Sequence, residues 1–223
     1  MQLDIQVFSD PICPWCYIGH SNLMTAIDSY PRQLDAVNIT WRVFMLNPQM
    51  PAQGMDRADY LQRKFGGASG AKHVYDRIQQ AGDAVGLDMK LDQITRTPQT
   101  RGLHQVIQGL QNHAQFADRA TALVTQLYQA YFCDALDIGN LQTLCQIAEN
   151  IGVPADLIEQ LYNDEHLEAL VVQADQNVRS QGLSGVPGYL FGGQNFVGGA
   201  QPPASFHRIF DILAEQKTVQ SNA

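Results

Sequence analysis

The residues in this chain best placed to do chemistry are two thiols, Cys13 and Cys16, in the stretch Ser9-Asp10-Pro11-Ile12-Cys13-Pro14-Trp15-Cys16-Tyr17. An apolar run, Ile5 to Phe8, precedes this stretch and a helical pattern follows it, so the pair sits where a strand passes into a helix. Two thiols at this spacing and position form a redox pair more often than anything else. The first turn of a helix presents backbone N–H groups that lack intrahelical partners and carry partial positive charge. Those donors stabilise a thiolate, so a thiol placed there ionises more readily. Pro14 suits the first helical position, where its missing N–H is not needed. Cys13 is then the cap residue and the expected exposed nucleophile. Cys16, nearly one turn further in and on the same face, is the expected resolving thiol.

Two other chemistries use the same spacing. A Cys-x-x-Cys is half of a zinc site, but Cys133 and Cys145 are remote in sequence and not closely paired, and no closely spaced histidine pair stands beside them. A structural crosslink gains little, because so tight a pair closes almost no loop. Redox exchange therefore ranks first, and no metal site is assigned. Cys133 and Cys145 lie in apolar helical surroundings; core packing is a better reading for them than a second, regulatory pair. Asp10 reads equally as a proton acceptor for Cys16 and as a strand-end cap. His20, one turn beyond Cys16, reads as a surface residue outside the site. Trp15 reads as an exposed substrate contact beside the thiols.

The elements that must position these residues follow from periodicity. Leu3 to Val7 alternates apolar and polar and reads as a strand, extended by Phe8. A helix opened by Pro14 carries Cys16, Tyr17, Leu23, Met24 and Ile27 and closes at Pro31. Val37, Ile39, Trp41, Val43 and Met45 alternate with Asn38, Thr40, Arg42 and Phe44 as a second strand. Strand, helix and strand of these lengths make a right-handed βαβ unit with parallel strands.

After the breakers Asn47-Pro48-Gln49-Met50-Pro51, no strand is read from Arg57 to about Gln181. Phe65 to Gly70 reads as a loop, His73 to Val85 as a helix, and Thr97-Pro98 as the start of another that carries Leu103, Val106, Ile107 and Leu110. Phe116 to Tyr131, a helix capped by Asn140, a short one at Ala155 to Tyr162, and a long one capped by Asp164 complete a helical block. Tyr189-Leu190-Phe191, a Gly192-Gly193 turn and Gln194 to Val197 then form an antiparallel hairpin. Pro202-Pro203 opens a last helix, and the polar tail after Lys217 is expected to fray.

The 223 residues, 45% hydrophobic and 16% charged, suit one globular domain or one with a sizeable insertion. A net charge of −8 opposes binding to a phosphate backbone, so nucleic acid is not an expected partner. No run is long enough to span a bilayer, so no membrane partner is expected. The early motif and the absence of a basic, apolar leader favour a cytoplasmic protein, where a thiol pair is catalytic rather than structural.

The order βαβ then ββα, with Cys-x-x-Cys heading the first helix, is the thioredoxin arrangement, and a helical block between the halves resembles its DsbA-like branch. The segments Asp10 to Gly19, Phe44-Met45-Leu46-Asn47-Pro48, Ala130-Tyr131-Phe132 with Asp137-Ile138-Gly139, Gly185-Val186-Pro187 and Gly198-Gly199-Ala200-Gln201 resemble the FrnE-like group of that family. The resemblance runs from Val7 to about Phe210. It implies an α/β, thioredoxin-like fold with a mixed sheet, residues 1–50 and 182–217 forming the thioredoxin-like domain and 51–181 an all-helical insertion. It implies thiol–disulfide oxidoreductase activity on protein or small-molecule thiols and disulfides, with Cys13 as nucleophile and Cys16 as its partner. No resident cofactor is implied; glutathione is a candidate reductant or ligand. Pro14 and Trp15 would tune and flank the pair. A cis peptide is implied at Val186-Pro187, an arrangement largely confined to X-Pro bonds, and the Val186 backbone would offer N–H and C=O groups to an extended substrate as an added strand. Kappa-class glutathione transferases and hydroxychromene-carboxylate isomerases resemble the chain in the insertion and the Val-Pro loop, but their working residue is a serine. A non-catalytic binding module is the third class. The sequence leaves the oligomeric state open.

Overall fold

In a computed structural model, residues 1–221 are described. β1 (Gln2–Ser9) buries Leu3, Ile5, Val7 and Ser9 on one face, while Gln2 and Asp4 lie exposed on the other; this is the period-two pattern of a strand with one face on the core. α1 (Pro14–Ser29) follows with Pro14 in its first turn. It stops at Tyr30, which is extended because Pro31 excludes the helical conformation from the residue before it. β2 (Ala36–Val43) then pairs with β1 in parallel, from Gln2 opposite Ala36 to Ser9 opposite Val43.

The intervening block holds β3 (Met55–Asp56), α2 (Arg57–Phe65), α3 (Ala68–Asp83), β4 (Arg96–Thr97), α4 (Arg101–Gln111), α5 (Ala120–Phe132), α6 (Leu141–Glu149), α7 (Ala155–Tyr162) and α8 (Glu165–Ser180). Three expectations are corrected here. Residues 65–70 are not one loop: only Gly66 and Gly67 separate α2 from α3, and Gly66 closes α2 in the left-handed conformation at φ +74°, with its N–H on Gln62 O. Thr97-Pro98 does not start a helix: Thr97 pairs with Met55 in a two-stranded ribbon, since a residue before proline is pushed to extended geometry. That ribbon also breaks the strandless stretch; two residues per strand are too few to show a period. Asn140 and Asp164 cap α6 and α8 as expected, accepting from Thr143 N, and from His166 N and Leu167 N.

β5 (Gly188–Phe191) lies antiparallel to β1, and β6 (Asn195–Gly198) antiparallel to β5, giving the order β2-β1-β5-β6. α9 (Pro203–Ser221) packs against α1 and runs through the stretch expected to fray; Asn222 and Ala223 lie outside the described residues. Buried residues form one continuous cluster from the sheet (Ile5, Val7, Tyr189) through α1 into the block (Leu123, Tyr128) and α9 (Phe206). Each such side chain contributes about 1.5–3 kcal/mol on burial. The block is also latched to the edge strand: Gln111 accepts from Trp41 N at 3.0 Å, and both Gln108 and Gln111 donate to Trp41 O. No helix among the described residues is long and apolar enough to cross a membrane.

Candidate active site

Cys13 is the N-cap of α1, with φ −91° and ψ 111°. Its carbonyl accepts from Cys16 N at 3.0 Å and Tyr17 N at 3.2 Å, and its sulfur accepts from Cys16 N at 3.3 Å. A sulfur thus takes the place that a serine or aspartate oxygen usually fills at a helix start. Across the cleft, Cys13 Sγ lies 3.8 Å from Val186 O, and the Val186-Pro187 peptide is cis. Cys13 and Cys16 therefore meet the Val186-Pro187 loop, as the resemblance implies. Pro14 is half-buried at the head of α1, and Val186 and Pro187 end the loop before β5.

The exposure of the thiols differs from expectation. Cys13 is only 3% accessible, because its sulfur turns back under the first turn and the loop through Val186 covers it. Cys16 is buried too. Burial pushes the Cys16 thiol well above its ordinary range; the Cys13 sulfur adds to the rise and the Asp10 backbone N–H opposes it. Cys16 is therefore held protonated at neutral pH. Trp15 is half-buried and packed on the core rather than standing clear beside the thiols.

Asp10 fills the capping role that sequence offered for it. It is fully buried, and its carboxylate accepts from Ile12 N at 3.0 Å, Leu46 N at 2.6 Å and Thr100 Oγ1 at 3.2 Å. One side chain so ties the cysteine turn to the loop after β2 and to the start of α4. Burial outweighs those three hydrogen bonds and raises its pKa to about 6. His20, expected at the surface, is buried against Trp41 and Tyr128, with Nε2 2.8 Å from Thr125 Oγ1; burial lowers its pKa to about 4. The reason is α5, which covers that side of α1.

Sequence reasoning gave no role to Gly19, Tyr128, Tyr189 or Thr100. Gly19 is the clearest omission. A Cβ there would collide with Tyr189 Oη and stand 3.1 Å from Pro187 Cγ and 3.4 Å from Ala200 Cα. The close approach of α1 to the Pro187 loop requires that glycine. Cys133 and Cys145 sit apart from this site. Cys133 Sγ is 3.6 Å from Tyr17 Oη, Cys145 Sγ is 3.8 Å from Ala155 O, and neither is in a disulfide. A cavity of about 480 Å³ opens between the Leu46–Pro51 loop and α2, lined by Met50, Met55, Tyr60, Arg63 and Lys64, with neither Val186 nor Pro187 in its wall.

A sheet of order β2-β1-β5-β6 with a dithiol at the head of α1 and a cis-proline loop facing it defines a thioredoxin-fold protein with a helical insertion. Residues 4–211 match the family described as a DSBA-like thioredoxin domain, and the chain belongs to that family of thiol–disulfide oxidoreductases. A probable DsbA oxidoreductase from Streptomyces coelicolor superposes with a TM-score of 0.78 at 25% identity, over 93% of this chain and 88% of that one. A 2-hydroxychromene-2-carboxylate isomerase shares the fold with a TM-score of 0.67 at 12% identity, over 97% of this chain and 98% of that one. So does the cytosolic disulfide reductase DsbM of Pseudomonas aeruginosa, with a TM-score of 0.66 at 13% identity, over 96% and 99%; a second structure of that reductase holds GSH.

Proposed function

We propose that this protein exchanges disulfides through the Cys13–Cys16 pair, with protein or small-molecule thiols and disulfides as substrates. The observation that carries this reading is the placement of Cys13 Sγ: it caps α1, accepts the Cys16 N–H at 3.3 Å and faces Val186 O at 3.8 Å. Cys13 attacks the substrate disulfide. Cys16 then loses its proton and attacks Cys13, releasing the reduced substrate and leaving the pair oxidised. A carboxyl with a pKa near 6, as on Asp10, is suited to taking that proton near neutral pH. Val186, Pro187, Pro14 and Trp15 form the contact surface for the substrate chain. A thiol such as glutathione restores the dithiol, and no resident cofactor takes part. The motif segments favour the FrnE-like group, and a cytoplasmic setting suits a cycle that thiols restore.

The test is a pair of variants. Cys13→Ser should abolish disulfide reduction, while Cys16→Ser should accumulate a mixed disulfide between Cys13 and substrate, detected by mass spectrometry. A glutathione-dependent isomerase or transferase would keep its activity in Cys16→Ser, because that chemistry uses one residue rather than two. A pure binding module would hold its ligand equally well in both variants.

A further inference from the structure

Two buried phenols near the cysteines have hydroxyls with no hydrogen-bond partner among the described residues: Tyr128 on α5 and Tyr189 on β5. Both residues are completely buried. A buried hydroxyl without a partner destabilises the fold, so it calls for an explanation. Their placement supplies one. A helical Cβ leans toward the helix N-terminus, over the turn before its own Cα. Tyr189 Oη occupies the space that a Cβ of Gly19 would take, so it lies over the turn that carries Cys16. Tyr128 stacks on Tyr17 at 5.3 Å and against His20 at 5.8 Å, so it approaches the same turn of α1 from the side of α5. Residues three and four positions on from Cys16 share its face of the helix. The two rings therefore bracket the Cys16 sulfur, Tyr189 from the sheet and Tyr128 from the helical block. Consistent with that, a charge on Cys16 acts on both phenols more strongly than any other charge does. Ser9, at the end of β1, Cys13 and Tyr189 are the other polar groups that act on Tyr128.

We infer that the hydroxyls of Tyr128 and Tyr189 are the hydrogen-bond donors that receive the Cys16 thiolate when the disulfide opens. This inference rests on the reading of Cys13–Cys16 as the exchanging pair. In the step concerned, an external thiolate attacks Cys13 Sγ of the oxidised pair. A new S–S bond joins the attacking sulfur to Cys13, the Cys13–Cys16 bond breaks, and its electron pair departs on Cys16 Sγ. Both phenols keep their protons and share them with that sulfur; a proton returned through Asp10, which recovers one from the medium, then neutralises it. In the thiol state the acceptor is weak and the hydroxyls are idle. Donors of this kind act on the developing charge and not on the resting states.

The experiment uses the full chain, oxidised, mixed with excess glutathione, with opening of the disulfide followed by rapid alkylation and mass analysis. Tyr128→Phe and Tyr189→Phe should each slow opening about tenfold or more. The equilibrium constant with glutathione at pH 7 should stay within about twofold of wild type, since both end states are neutral. Melting temperatures should hold or rise, because an unpartnered hydroxyl has gone. Tyr17→Phe serves as the contrast: its hydroxyl is already bonded to Gln129 at 3.0 Å, so it should lower the melting temperature and leave the rate alone. Wild-type rates in both phenol variants would overturn the inference, as would slowing that appears only with a lowered melting temperature. A wild-type protein that glutathione does not open at all would overturn the exchange reading, and this inference with it.

Discussion

The chain carries four cysteines in two different backbone settings, and the contrast between them bears on which thiols could exchange. Cys13 and Cys16 are as buried as Cys133 and Cys145, so accessibility does not separate them. Local backbone does. Cys13 stands at a helix start, where the Cys16 N–H donates to its sulfur, and Cys16 is one turn away on the same face. Cys133 follows the end of α5 and Cys145 lies within α6; burial raises both thiols and no helix N-terminus offsets it. Their partners are a phenol and a carbonyl rather than a second thiol.

The largest expected effect tests that contrast directly. Cys13→Ser should lower disulfide reduction by about a thousandfold or more, as loss of a nucleophile does, whereas Cys133→Ser and Cys145→Ser should stay within about twofold in the same assay. Equal losses at both pairs would remove the distinction.

Next comes pH. The unfolded chain protonates His20 and His104 near 6.5, but in the fold burial lowers both to about 4. Each therefore withdraws up to about 3 kcal/mol of stability as pH falls from 6.5 to 4. Asp10 works the other way: its pKa rises from 3.8 to about 6, so about 3 kcal/mol is regained over nearly the same window. The net loss between pH 7 and 4 should be about 3 kcal/mol by denaturant titration. Asp10→Asn should steepen it, and His104→Gln, in the block, should nearly flatten it. A curve unaffected by either change would show that these groups do not titrate as buried.

Two glycines, one at the site and one in the block, separate the two regions in the same way. Gly19→Ala should cost about 1–2 kcal/mol from overpacking and slow exchange, since it forces α1 away from Tyr189 and Pro187. Gly109→Ala, whose Cβ would meet Leu161 in the block, should cost as much while leaving exchange unchanged. Adding Tyr189→Phe to Gly19→Ala should recover stability, because the colliding atom is removed. The smallest effect is expected from Cys145→Ala, about 1 kcal/mol by thermal or chemical unfolding.

Much of the frame was legible in the chain. β1, β2 and the Gly192-Gly193 hairpin announce themselves by alternation, and Asn140 and Asp164 by their capping chemistry. α2 did not, because among its side chains only Tyr60 is buried and it shows no apolar stripe. His20 was misplaced for the opposite reason. α1 buries Cys16 through His20 without a break, so that stretch has no apolar–polar alternation by which an enclosed histidine could be recognised.

The amino-acid pattern alone carries the dithiol, its position at a helix start and the succession of β1, α1, β2 and the β5–β6 hairpin along the chain, since these depend on spacing and on periods of a few residues. Contacts between distant parts of the fold are what cover Cys13, raise the Asp10 carboxyl to about 6 by burial, and require Gly19 to be bare so that Tyr189 can reach the turn of Cys16. Those outcomes come from surfaces far apart in the chain meeting in a close-packed interior, where removal from water sets the charge a group can carry.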